Sequence, residues 1–217
     1  NHRLFVADYT NNRVLVFNLD ASNNLIDRVA DNVLGQPNLT TNISATTQGG
    51  MTQPLGMAYD STNNRLFVAE PPNNRVLVFN VASITNGENA VNVLGQANFT
   101  SNTATITQSG LSTPNQIAYD STNNRLFVAD TGSNRVIIYD TTSITDGENA
   151  INVLGQADFI SSVFATTQSW MRAPEGVVYD SVNSRLIVGD TANRRILFFD
   201  VSSITNGENA INVLGQS

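Results

Sequence analysis

Acid and arginine recur in this chain at one spacing, the arginine five positions after the acid. One series reads Asp8/Arg13, Glu70/Arg75, Asp130/Arg135 and Asp190/Arg195; a second reads Asp60/Arg65, Asp120/Arg125 and Asp180/Arg185. Carboxylates gathered on one axis could grip a cation or share a proton. Here each acid brings its own guanidinium, so we read the pairs as structural clasps across the turns where antiparallel strands meet. Candidate catalytic acids without such a partner are Asp158, Glu175, Glu88, Asp146, Glu148 and Glu208. Glu88, Glu148 and Glu208 occupy equivalent positions in separate repeats, a poor arrangement for converging on one substrate. The single histidine is His2, and there is no cysteine. A Ser-His-Asp set, a thiolate metal site and a multi-histidine metal site are thereby disfavoured. No glycine-rich phosphate loop is present. The expectation is a non-enzyme with neither metal nor cofactor.

Binding residues are sought where the repeated text breaks. The stretches "GGMTQPLG" (49–56), "SGLSTPNQ" (109–116) and "SWMRAPEG" (169–176) correspond, and the last departs. It carries Trp170 in place of glycine, Arg172 in place of a small polar residue, and Glu175 where Leu55 and Asn115 stand. The preceding segment adds Ile160 and Phe164 where its counterpart has Thr100 and Ala104. Tryptophan and arginine are favoured anchors of interfaces. The five residues Trp170, Arg172, Glu175, Ile160 and Phe164 are the candidate contact set; the competing reading is a plug between neighbouring repeats.

The elements that must carry these residues follow from the repeat. "NVLGQ" ends at Gln36, Gln96, Gln156 and Gln216, a period of 60, and only the first copy diverges. Each full copy reads as four short strands: a proline-led strand ending in Tyr-Asp (54–60, 114–120, 174–180), then "RLFVA", "RVLVF" and "AVNVLG". Asparagine-rich turns join the first three, and "SITNGEN" reads as a turn with one helical turn begun by serine. The two middle strands are apolar at every position, which predicts sheets covered on both faces. Stacked four-stranded antiparallel sheets arranged around an axis meet that demand, as in an all-β propeller. The blades fall at about 1–36, 51–96, 111–156 and 171–216, joined by linkers 37–50, 97–110 and 157–170.

The strings "PEGVVYD", "NRLFVAD" and "NRVLVFN" resemble the NHL repeat, and the resemblance covers essentially the whole chain. It implies a β-propeller, commonly of six blades; family members include extracellular sensors, RNA-binding domains and a zinc-dependent lyase, so it carries fold and not activity. The 60-residue period departs from the family through its long linkers. Four copies of the last three strands stand against three of the first, so the first blade is incomplete. The expectation is a propeller completed by further blades or by another subunit, a homo-oligomer included.

All eleven basic residues are arginine, and eighteen acids give a net charge of −7. That balance repels phosphate backbones, so no nucleic acid partner is expected. No apolar run approaches the ~20 residues of a membrane span. The lysine-free, cysteine-free composition points to an extracellular or cell-surface protein, and the sequons at Asn38, Asn42 and Asn98 to exposed linkers. The reading is a binding module for a protein or glycan acting through its rim. A structural, self-assembling role is the alternative, and a propeller lyase or hydrolase comes third.

Overall fold

The computed structural model describes residues 2–216 and contains four antiparallel sheets. The first has three strands, β1 (Arg3–Asp8), β2 (Arg13–Asn18) and β3 (Asn32–Leu34). The second holds β4 (Met57–Asp60), β5 (Arg65–Glu70), β6 (Arg75–Asn80) and β7 (Asn92–Leu94). The third holds β8 (Pro114–Asp120), β9 (Arg125–Asp130), β10 (Arg135–Asp140) and β11 (Asn152–Leu154). The fourth holds β12 (Pro174–Asp180), β13 (Arg185–Asp190), β14 (Arg195–Asp200) and β15 (Asn212–Gly215). Strands pair in chain order within every sheet. The fourth strand is shorter than "AVNVLG". No helical turn forms in "SITNGEN". There the Glu88 carboxylate takes the Thr85 N–H and closes a turn instead.

Local chemistry sets the hairpins. Between first and second strands, Asp60 Oδ1 accepts the N–H groups of Thr62 and Asn63, and Asn64 takes a left-handed conformation. The turns between second and third strands are not two-residue hairpins. Each contains a single 3-10 turn, closed by Asn12, Asn74, Asn134 or Arg194 at φ near +55°.

The sheets stack face to face through three apolar layers. In the layer between the second and third blades, Phe67, Ala69, Val76 and Val78 meet Leu126, Val128, Ile137 and Tyr139. The same pattern repeats between the first and second and between the third and fourth. A polar latch accompanies each layer. Val33 N–H donates to Asn86 Oδ1 while Gly87 N–H donates to Val33 O, and Val93 and Val153 are held likewise by Asp146/Gly147 and Asn206/Gly207. Glycine is required at 87, where φ is +71° and a Cβ would lie 2.9 Å from Pro37 Cα.

Coverage of both faces holds only for the interior blades. β5, β6, β9 and β10 are buried almost throughout, whereas β1, β2, β13 and β14 alternate. The first blade leaves Leu4 and Val6 in solvent, and the last leaves Val178, Ile196 and Leu214. Among the described residues no helix is long and apolar enough to cross a membrane.

Candidate binding surface

The acid–arginine pairs come first, because they hold the linkers. Arg75 and Glu70 are fully buried, with Nε donating to Oε2 at 2.5 Å. The other Glu70 oxygen accepts the Thr52 N–H and the Asn73 amide. Arg75 Nη2 donates to the carbonyls of Thr47 and Gly50 in the preceding linker, and Nη1 to that of Phe99 in the following one. Arg135 repeats this arrangement on Asp130, Thr107, Gly110 and Phe159. These groups are staples between blades as well as clasps within a hairpin. Burial pushes the Glu70 and Asp130 carboxyls upward against the pull of their arginines. Arg13 pairs with Asp8 in a more exposed setting and reaches the Leu39 carbonyl.

The second series is more open. Arg65 and Arg125 bind Asp60 and Asp120, whose carboxyls are partly desolvated. Hydrogen bonds from Asn63 and Arg65, and from Asn123 and Arg125, outweigh that and hold both below the ordinary range. Tyr119 of the next blade lies near the Asp60/Arg65 pair and Tyr179 near Asp120/Arg125. One expected pair is corrected. Asp180 and Arg185 face each other in the register, but no ion pair joins them among the described residues. No described blade follows to shield them, so water competes for both groups.

The last linker differs structurally from the other two. Gly50 and Gly110 sit where a Cβ would fall 2.7 Å from Ala45 Cβ and 1.8 Å from Thr105 Oγ1. Trp170 therefore cannot be seated in the same linker conformation. The bonds Ala45 N–H to Met51 O and Thr105 N–H to Leu111 O have no counterpart between Ala165 and Met171. The staple adjusts: Arg195 holds Asp190 and reaches the carbonyls of Thr166, Thr167 and Trp170.

On this opened linker the guanidinium of Arg172 lies over the Phe164 ring, 4.7 Å from its centroid. The Arg172 N–H donates to buried Asp190 at 2.6 Å, which fixes the base of the pair. Phe164 is 56% exposed and Ile160 74% exposed. Trp170 is half-buried, and Glu175 is exposed on β12. Phe164 and Arg172 are thus in contact, Trp170 shares their anchor through its carbonyl, and Ile160 and Glu175 flank them in chain order. Val163, 59% exposed beside Phe164, completes the apolar set and escaped the sequence reading. Its signal was available: Val163 replaces Thr103 in the same comparison.

The first strands line a second concavity of about 310 Å³, with Met57, Ile117, Val177 and three tyrosines on its walls. Tyr119 donates to the Asn124 side chain, and no carboxylate or histidine is among the residues lining this concavity. Among the described residues no group of three His, Asp or Glu side chains is placed to hold a metal.

No family model matches the sequence, and no curated protein matches it. Among solved structures the chain is similar to the crystal structure of a nidogen/laminin complex, with a TM-score of 0.59 at 13% identity. The match covers 99% of this chain and 59% of that one, so the chain spans somewhat more than half the length of its structural neighbour. At that identity the likeness concerns the fold, which is an all-β propeller built of antiparallel blades.

Proposed function

We propose that the chain is a non-enzymatic propeller module of the NHL type that recognises a protein through its linker rim, at an extracellular or cell-surface location. The carrying observation is the Phe164–Arg172 pair. It stands in solvent on the one linker that departs from the repeat, with its base tied to the buried Asp190/Arg195 staple. An exposed aromatic and an arginine held rigid lose little side-chain freedom on binding. The solved structure of similar fold is itself a complex of two proteins, which accords with a partner-binding role. A non-catalytic reading is supported by the clasps, which occupy six of the seven hairpin acids with their own arginines. A glycan is the alternative ligand for the same surface.

The test is a screen of immobilised chain against extracellular proteins and a glycan array, repeated with Phe164→Ala and Arg172→Ala. Loss of about tenfold or more in affinity at unchanged thermal stability supports the reading. Ligands that bind both variants as tightly as the parent chain overturn it. A self-assembling role is favoured by a different observation, the bare apolar faces of the first and last blades. It requires a solution mass that rises with concentration.

A further inference from the structure

One concavity belongs neither to the Phe164–Arg172 surface nor to the first strands. It measures about 270 Å³ and lies on the middle linker, walled by Gln96, Ser101, Thr103, Thr105 and Ser109, with Gly147 of the third blade also lining it. The hydroxyls of Thr103, Thr105 and Ser109 make no hydrogen bond to the described residues, and that of Ser101 donates to Asn98 Oδ1. Gln96 is only 6% exposed. Its amide nitrogen donates to the carbonyls of Asn74 and Thr103, while its oxygen has no partner among the described residues. A buried acceptor left unpaired carries its desolvation penalty, and a donor entering the cavity would relieve it. The other linkers show that the fold does not need these hydroxyls. Gln36 and Gln156 anchor their loops in the same way, on the carbonyls of Asn12 and Ile43 and of Asn134 and Val163. Yet positions 101, 103, 105 and 109 correspond to Thr41, Ile43, Ala45 and Gly49 in the first linker, and to Ser161, Val163, Ala165 and Ser169 in the third. The Gln36 oxygen is satisfied by the Ile43 N–H. Gln156 shares the unpaired oxygen, but its linker carries Trp170 and Val163 where the middle one has Gly110 and Thr103.

We propose that the middle linker holds a binding site for a single neutral sugar ring, with Gln96, Thr103, Thr105 and Ser109 as its polar contacts. No residue lining the cavity is charged, so neither an anion nor a cation finds a counter-charge there. Hydroxyls both donate and accept, and an amide oxygen only accepts, so the matching ligand carries several hydroxyls of its own. Its hydroxyls exchange hydrogen bonds with the threonines and Ser109, and one of them donates to Gln96 Oε1. The volume lies just below the usual range of small-molecule sites, which suits one ring and not a chain of them. A site built to pair a ligand's hydroxyls rejects an analogue that lacks them. The cavity lies on a different linker from the Phe164–Arg172 pair, so neither proposal depends on the other.

The probes are glucose, galactose, mannose and N-acetylglucosamine, each as free sugar and as methyl glycoside, titrated to about 50 mM into isotope-labelled chain and followed by amide NMR shifts. The expected result is that at least one sugar gives saturable shifts at residues 95–110 and at Gly147, with a Kd of about 1–10 mM. Tetrahydropyran, the same ring without hydroxyls, is expected to give none. A methyl glycoside that binds as tightly as its free sugar identifies the end of a glycan as the ligand's source; loss on methylation identifies a free sugar. The triple variant Thr103→Ile, Thr105→Ala, Ser109→Gly installs the residues that the first linker already carries at 43, 45 and 49. It is expected to bind at least about fivefold more weakly, with the amides of the other linkers unmoved. Thr105→Ala alone, matching Ala45 and Ala165, is expected to show a smaller loss and keeps the test decisive where the triple variant does not fold. Absence of saturable shifts with every sugar, shifts centred on residues 157–172, equal binding of tetrahydropyran, or undiminished binding by the folded variants overturns the proposal.

Discussion

Tyr139 occupies the position that phenylalanine holds at 17, 79 and 199, and its hydroxyl is buried without a hydrogen-bond partner. A buried polar group left unpaired carries its desolvation penalty, and its pKa is pushed upward by burial. Tyr139→Phe is therefore expected to stabilise the fold by about 1 kcal/mol, seen as a higher midpoint in urea with unchanged slope. The arginines divide by their surroundings in the same way. Arg135 is fully buried, and its guanidinium bonds Asp130 and three linker carbonyls. Arg135→Met is expected to cost about 3–5 kcal/mol, since Asp130 would be left buried with its main partner gone. Arg185→Ala, at an exposed site with no ion pair, is expected to change stability by less than about 0.5 kcal/mol. Urea melts of the two variants side by side check both statements.

At the scale of the element, the linkers are the informative parts. Gly110 has no room for a Cβ because Thr105 Oγ1 stands 1.8 Å from where it would be. Gly110→Ala is expected to destabilise by about 1–3 kcal/mol. Adding Thr105→Ala, the residue already present at Ala165 beside Trp170, is expected to recover part of that loss. A double-mutant cycle measures the coupling. The strands, the hairpins and the deficit in the first blade were legible because apolar runs and turn residues have sequence signatures. The linker staples were not, since the arginines bind backbone carbonyls, which every residue carries alike. The departure at Trp170 was visible as a change of residue type. Its effect was not: the opened linker follows from the space around Gly50 and Gly110, which no spacing encodes. The Asp180/Arg185 turn carries Val182 and Ser184 where its counterparts have threonine and asparagine, but the acid–arginine spacing is the same; what distinguishes the pair in space is that no described blade covers it.

For the whole molecule, coverage sets the stability profile. The two interior blades are packed on both faces, and the first and last on one. In a stack of repeats, stability is close to a sum of intrinsic and nearest-neighbour terms, so the ends open first. Native-state hydrogen exchange is expected to find the slowest amides in β5, β6, β9 and β10 and faster exchange in β1, β2, β13 and β14. Uniform protection across all four sheets would contradict this profile. The staples have one more effect, on the field the molecule casts into solvent. Six of the eleven arginines and six of the eighteen acids are consumed in ion pairs, leaving twelve acids against five arginines. The surface charge outside the pairs is thus predominantly negative, with Arg28, Arg172, Arg185 and Arg194 as isolated exposed cations. Cationic partners would be drawn in from beyond contact range and anionic ones turned away, both effects fading as ionic strength rises.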